Sequence, residues 1–223
     1  MSAVPADLLM MLLGDARLPV AGHTQSATLE GGVQAGLSAA EVPLYIAARL
    51  STTVRVEAGT AVVARHHLDH GLPLEPVVRA WAARVPSAAL RRSSRMQARA
   101  LLRVSGRLWP ESSAVAEAAS TPGVPRPVAL GAAAVAVGLG PRALARLVGY
   151  DDVQTVASAA LKLLPLDPVD ASGWVHDALL LVSEAADAVA HVIEPGQIPA
   201  TAAPQTELWA EAHGASNRRL FSA

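Results

Sequence analysis

Leu74, Val77, Val78 and Trp81 stand at the i, i+3, i+4, i+7 spacing that lines one face of an α-helix. A similar period returns at Val42, Ile46, Leu50 and Val54, at Leu101, Val104 and Leu108, and at Leu179, Val182, Ala186, Val189 and Ile193. No stretch of useful length alternates apolar and polar residues as a half-buried strand must. The residues that carry the helical period are mostly Ala, Leu and Val: 52% of the chain is hydrophobic but only 3% aromatic. Ala and Leu have little freedom to lose in a helix. The expectation is an all-α fold. With 223 residues and no internal repeat, it is a single compact multi-helix domain over residues 1–223, ending in a short helix and flexible tail at 206–223.

Start and stop signals divide the chain further. A short first helix spans Leu8 to Leu13, and a second opens at Thr24 or Ser26 and ends near Gly36. Ser38 precedes Glu41 by three residues, a capping box, with Leu37 and Val42 placed as a hydrophobic staple. The helix it opens is expected to run on toward His70. Ser87 caps a long helix ending at Trp109-Pro110, and Ser112 to Ser120 forms a weaker one. Two or three core helices cover Val128 to Leu164, broken around Gly138 to Pro141 and near Gly149. One long helix covers Ser172 to Ile193, a loop follows to Pro204, and a short helix covers Thr206 to His213.

Motifs that carry chemistry are few. Phosphate-cradling and dinucleotide-binding glycine patterns are missing, so no cofactor is expected. Cysteine is absent, which excludes disulfides, thiolate metal sites and a Cys nucleophile. Gly22-His23-Thr24-Gln25-Ser26 has the outline of a nucleophile elbow, but no strand leads into it. A hydrolase using Ser26 and a His is the enzymatic alternative. The structural alternative has Gly22 making a turn and Thr24 or Ser26 capping a helix. His66 and His70 are spaced to share a helix face, so they are the candidate metal pair. Equally, they suit the last turn before Gly71, where His favours the helix dipole. Arg91, Arg92, Arg95, Arg99, Arg103 and Arg107 form a basic stripe along one helix, either a solvated face or a docking surface for an acidic partner. Nucleic acid is not expected, because no aromatics are interleaved for stacking and the net charge is −1. The longest apolar run, Val128 to Leu139, is too short to span a membrane, and the first apolar run lacks the basic residue that precedes a secretory core. A soluble, cytoplasmic protein is expected, and an interaction protein before an enzyme.

Four segments together resemble the UreF family of urease accessory proteins. Leu18-Pro19-Val20-Ala21-Gly22-His23-Thr24-Gln25-Ser26-Ala27-Thr28-Leu29-Glu30, continuing to Ala35-Gly36, is similar to the family's N-terminal pattern, with Ala21 and His23 where Gly and an aromatic are common. Arg91 to Leu102 is similar to its Ser…Gly-Arg-x-Leu-Leu helix, with Ala98 for the Gly. Pro127 to Pro165 leads into Leu166-Asp167-Pro168, where the family reads Leu-Gly-Gln. His213, Arg219, Leu220, Phe221 and Ser222 match a His…Arg-Leu-Phe-x-Ser ending, Ser222 standing one place early.

The resemblance implies an all-helical protein, usually dimeric, without catalysis, cofactor or metal of its own. It implies a chaperone-like scaffold that binds the UreD/UreH-type accessory protein and the UreG GTPase, and that promotes GTP-dependent nickel insertion into apo-urease. Direct control of GTP hydrolysis by UreG, as activator or checkpoint, is the alternative within that role. The residues carried over as partner-binding are Pro19, Gly22, His23, Ser26, Glu30, Arg95, Arg99, His213, Arg219, Leu220, Phe221 and Ser222. Phe221, the only Phe, is expected to project as an interface anchor, and residues after Gly214 to be dispensable for folding.

Overall fold

The structure, a computed structural model, describes residues 4–20, 22–216 and 220–221, with the backbone alone of His23. Among the described residues there are α-helices and short 3-10 turns and no strand. In chain order the helices are α1 (Ala6–Leu13), α2 (Leu29–Gln34), α3 (Val42–Ser51), α4 (Thr53–Asp69), α5 (Glu75–Arg84), α6 (Ala88–Leu108), α7 (Ser113–Ser120), α8 (Arg126–Ala136), α9 (Pro141–Leu163), α10 (Pro168–Asp187) and α11 (Pro204–Ala215).

Helix α4 is the axis of the domain. Its Ala58, Ala61, Val62, Val63 and Ala64 are buried and pack against α8 and α9. The α4–α8 contact is backbone to backbone: a Cβ on Gly131 would stand 2.8 Å from the Ala61 carbonyl oxygen and 2.9 Å from the Arg65 nitrogen. One core cluster gathers around α4 and α8 with Trp81, Leu101 and Leu144. A second joins α2, α3, α9 and α10 through Leu29, Ile46, Leu50, Val153 and Val182. A core poor in aromatic rings is filled here by small side chains that let helices approach closely.

The expected starts hold at Ser112, whose Oγ accepts from Val115 N at 3.3 Å, after the break around Gly138 to Pro141 where α9 opens, and at Ser87 and Ser38. Ser87 Oγ accepts from Leu90 N at 3.2 Å at the head of α6. Glu41 reaches back to Ser38 N at 2.8 Å, opening a single 3-10 turn before α3. Elsewhere the structure differs. The helix expected to run from Ser38 toward His70 is broken at Thr52 (φ −122°, ψ −91°). Ser51 and Thr52 hydroxyls bond back to the Ala48 carbonyl at 2.9 and 2.6 Å, competing with the helical ladder, and Thr201 Oγ1 donates at 2.8 Å to the Thr52 carbonyl, which also accepts the Arg55 amide at 3.1 Å as α4 begins. Helix α2 begins later than expected, because Ala27 and Thr28 take left-handed conformations (φ 50° and 63°). No break occurs at Gly149; a Cβ there would lie 3.1 Å from Val182 Cγ1, so this glycine serves the α9–α10 contact. Helix α10 starts four residues early, since Asp167 accepts from Val169 N at 2.9 Å and Pro168 suits the first turn. It ends at Asp187 rather than Ile193.

Two glycines give a test of this packing with opposite signs. Gly131→Ala pushes a methyl into the α4 backbone and is expected to destabilise by about 1–3 kcal/mol. Gly106→Ala, on the open face of α6 with nothing within 4 Å, is expected to stabilise by roughly 0.5–1 kcal/mol. Chemical denaturation of the two variants checks both.

Candidate functional site

Glu30 organises the region where the chain ends meet. It lies in α2 and is buried, and both of its oxygens are occupied. Oε1 accepts the Leu220 amide at 2.7 Å; Oε2 accepts the Phe221 amide at 2.9 Å and lies 2.8 Å from His213 Nε2. An ionised carboxylate is an acceptor only, so the His213 ring presents an N–H to it. Burial pushes the Glu30 carboxyl up, yet the two amides and the His213 ring together outweigh it and hold it below its ordinary value. Gly31 and Gly32 follow immediately and admit α11: Cβ atoms there would meet the Trp209 carbonyl at 2.8 Å and the Trp209 ring at 3.0 Å.

The tail expectation is corrected here. Phe221 is only 5% exposed and belongs to the second core cluster, with the Lys162 ammonium 5.1 Å from its ring centroid. It packs back onto its own domain because Glu30 offers its amide and that of Leu220 a charged acceptor inside the protein. Leu220, by contrast, is 62% exposed. Arg219 and Ser222 lie outside the described residues, as does the His23 side chain.

Beside this clamp, α9 carries two ion pairs on successive residues. Arg49 from α3 meets Asp152 through Nε at 2.9 Å and Nη2 at 2.6 Å, and Arg126 Nη2 meets Asp151 at 2.7 Å. Tyr45 Oη donates to the Ala27 carbonyl at 2.6 Å and lies 2.6 Å from Thr28 Oγ1. These bonds hold the two left-handed residues, a conformation that costs of order 1–3 kcal/mol each. The two ion pairs, Ala27 and Thr28, with Gln25, Ser93, Gln97 and Glu57, enclose a cavity of about 130 Å³. Glu57 takes the Trp81 indole N–H at 2.7 Å. Burial pushes its carboxyl up, against the opposing effect of that bond and of Arg126. A wider cleft of about 480 Å³ shares the wall formed by Gly22, Gln25, Gln97, Arg126 and Asp151, and opens past Tyr150 to Lys162 and Phe221.

The cavity has convergent polar groups and one displaced carboxyl, which an enzymatic reading requires. The nucleophile and base proposed for such a reading are not paired in it. Ser26 is fully buried and accepts the Glu30 amide at 3.4 Å, a helix-start role, while His213 is engaged by Glu30. Ser93 Oγ donates to Gln25 at 2.7 Å, and Ser94 Oγ accepts the Arg126 amide at 2.9 Å.

The other candidates separate. His66 and His70 stack, ring centroids 4.1 Å apart, and His70 Nδ1 lies 2.9 Å from the His66 carbonyl oxygen. Among the described residues no group of three His, Asp or Glu could hold a metal ion. Desolvation, followed by the neighbouring His70 and His67, lowers the pKa of His66. In the basic stripe, Arg91 is turned inward to the Val85 and Pro86 carbonyls at 2.7 Å, and Arg95 reaches the Gly123 carbonyl at 3.3 Å. Arg99 and Pro19 are exposed, and Gly22 is half-buried in the cleft wall. The charged cavity-lining residues that no sequence motif indicated are Arg49, Glu57, Arg126, Asp151 and Asp152. Their partners lie too far away in sequence to be read as motifs.

The site therefore defines an all-helical protein whose two terminal segments are tied together over a polar cleft. A family model described as UreF matches residues 37–179. The chain is 32% identical over 217 residues to the urease accessory protein UreF of Mycobacterium sp. (strain JLS), covering 96% of this chain and 97% of that one. It is 36% identical over 163 residues to the urease accessory protein UreF of Mycolicibacterium vanbaalenii, covering 72% and 75%, and 32% identical over 164 residues to that of Mycobacterium marinum, covering 73% and 75%. The chain belongs to the UreF family. No described helix is long and apolar enough to cross a membrane.

Glu30, buried, and Glu57, half-buried, predict opposite pH responses. Glu30, held low, contributes stability above its unfolded pKa that is lost as the pH falls through its folded value. Glu30→Gln should cost about 1.5–3 kcal/mol, because one buried N–H then faces an amide NH2. Truncation after Gly214 should lower Tm by about 3–12 °C through loss of the Phe221 burial, worth ~1.5–3 kcal/mol. Glu57, held high, contributes stability below its unfolded pKa that is lost as the pH rises through its folded value. Glu57→Gln should accordingly raise Tm at pH 8 and leave it nearly unchanged at pH 4. Thermal melts across pH check the three variants.

Proposed function

We propose that this chain is a scaffold for urease maturation. It binds the UreD/UreH-type accessory protein and the UreG GTPase, and it promotes GTP-dependent nickel insertion into apo-urease in the cytoplasm as a homodimer. The observation that carries the reading is the junction of the two terminal segments. Gly22, from the Leu18 to Glu30 segment, and Phe221, from the C-terminus, line one cleft, and Leu220 next to Phe221 is exposed. Two segments ordered in advance present one surface and spare a partner the entropy of ordering them. Pro19, Gly22 and Leu220 are the contact residues, and His23, Arg219 and Ser222 join them by their place in the chain. Ser26, Glu30, His213 and Phe221, being buried, act by positioning those neighbours.

The urease accessory role of the relatives supports the reading. Self-association is supported by an apolar groove between α1 and α10, lined by Met10, Met11, Leu147, Tyr150, Leu179 and Val182.

Leu220→Asp tests the surface without touching the core, since the Leu220 amide still reaches Glu30. The variant should melt like the parent, yet capture less UreD/UreH-type protein and give less urease activity in cells that express the urease operon. Unimpaired capture and activation would refute the assignment. UreG turnover with and without the chain is expected to be equal for a scaffold; a changed rate favours the direct regulator.

A further inference from the structure

Most of the described arginines are engaged, although outside α6 Arg55 and Arg79 make no side-chain hydrogen bond or ion pair. Arg17, Arg49, Arg126 and Arg142 pair with carboxylates, and Arg65, Arg84, Arg91 and Arg95 reach backbone carbonyls. Helix α6 gathers most of the arginines without a partner on its outer face. Its 21 residues contain six arginines and no Asp or Glu. Four of the six, Arg92, Arg99, Arg103 and Arg107, are exposed. None of these four makes a hydrogen bond or ion pair with another described residue.

Local causes account for two of them. Arg107 stands in the last turn, where a cation favours the helix dipole. Arg92 lies near Glu211 of α11, whose carboxyl it helps to hold low. Arg99 and Arg103 have no such reason. They sit mid-helix at i, i+4, flanked by Arg95 and Arg107 at the same interval, an arrangement of like charges that destabilises a helix. Met96, half exposed beside them, adds the kind of apolar contact that accompanies Arg at protein interfaces.

We infer that the outer face of α6, centred on Arg99 and Arg103, docks an acidic protein segment, an α-helix with carboxylates four residues apart. Such a helix repeats its charge every ~6 Å, the rise of four residues, which matches the guanidinium spacing along α6. Arg binds carboxylates bidentately and keeps its charge at any working pH. The face carries no aromatic residue on which nucleotide bases could stack. Its exposed apolar atoms are confined to Met96 and Leu108, too few to seat it in a lipid surface. This inference does not rest on the urease reading, since it names a chemistry and not a particular partner.

The test uses the full chain and four immobilised probes: a helical peptide with Glu at i, i+4, the same peptide with Gln for Glu, a single-stranded oligonucleotide, and vesicles containing anionic lipid. The Glu peptide should bind in a salt-dependent manner, and the Gln peptide should not. Arg99→Glu/Arg103→Glu should weaken Glu-peptide binding by at least about tenfold with an unchanged or higher Tm. The charge-matched control Arg17→Glu/Arg79→Glu, two exposed arginines outside α6, should bind as the parent does. Equal loss in both variants, stronger binding to the oligonucleotide or the vesicles, or binding of the Glu peptide that survives the α6 reversal would each overturn the proposal. Self-association that the α6 reversal abolishes would also overturn it, by making a second copy the occupant.

Discussion

Glu30 is the point at which the chain's two ends become one surface. A carboxylate carries four lone-pair sites and no donor, so in an apolar setting it must collect hydrogens from elsewhere. Here it collects them from residues 183 to 191 positions away, the His213 ring and the amides of Leu220 and Phe221. Desolvating the carboxylate is costly, and those three donors offset the cost. Once they are in place, Phe221 has nowhere to go but the core, and Leu220 nowhere but the surface. The glycines next to Glu30 remove the side chains that would hold α11 away, so the same short segment provides both the acceptor and the room.

Small residues set the spacing of the remaining helices. Gly131 lets α8 lie directly on the α4 backbone, and Gly149 lets α9 accept Val182 of α10. The Asp167-Pro168 pair, a departure from the usual family pattern, is accounted for locally as the cap and first turn of α10. A core built in this way buries little area per side chain, and it compensates through close contact, where dispersion acts between many atom pairs.

Charge is distributed by depth. Inside, Arg49 and Arg126 are matched to Asp152 and Asp151, and Arg84 and Arg91 to carbonyls that would otherwise be left without donors. Removing Asp152 would leave the buried Arg49 charge without compensation, which makes that position intolerant of change. Outside, on α6, the charge is unmatched and all of one sign. The interior pairs specify how the helices meet, and the outer row specifies what can approach.

Most of the fold was legible in the chain. Helical periodicity, the Ser87 cap, the Ser38–Glu41 box and the break around Gly138 to Pro141 each state a local preference that the fold keeps, because no long-range interaction opposes it. The break at Thr52, the late start of α2 and the unbroken passage through Gly149 were not legible. The last two depend on atoms supplied from far away, the Tyr45 hydroxyl at Ala27 and Val182 against Gly149, while the first comes from the Ser51 and Thr52 hydroxyls turning back to Ala48, a choice that helical periodicity does not record. The site divides in the same way. By itself the sequence determined that Glu30, His213, Leu220 and Phe221 belong to one resembling family, and that no nucleotide-binding motif is present. Tertiary structure alone decided that these residues meet, that Phe221 is buried while Leu220 is exposed, and that Glu57 faces a cavity between two ion pairs. Periodicity records which face of a helix avoids water, whereas the partner of a buried polar group is set by which helix the packing brings within 3 Å of it.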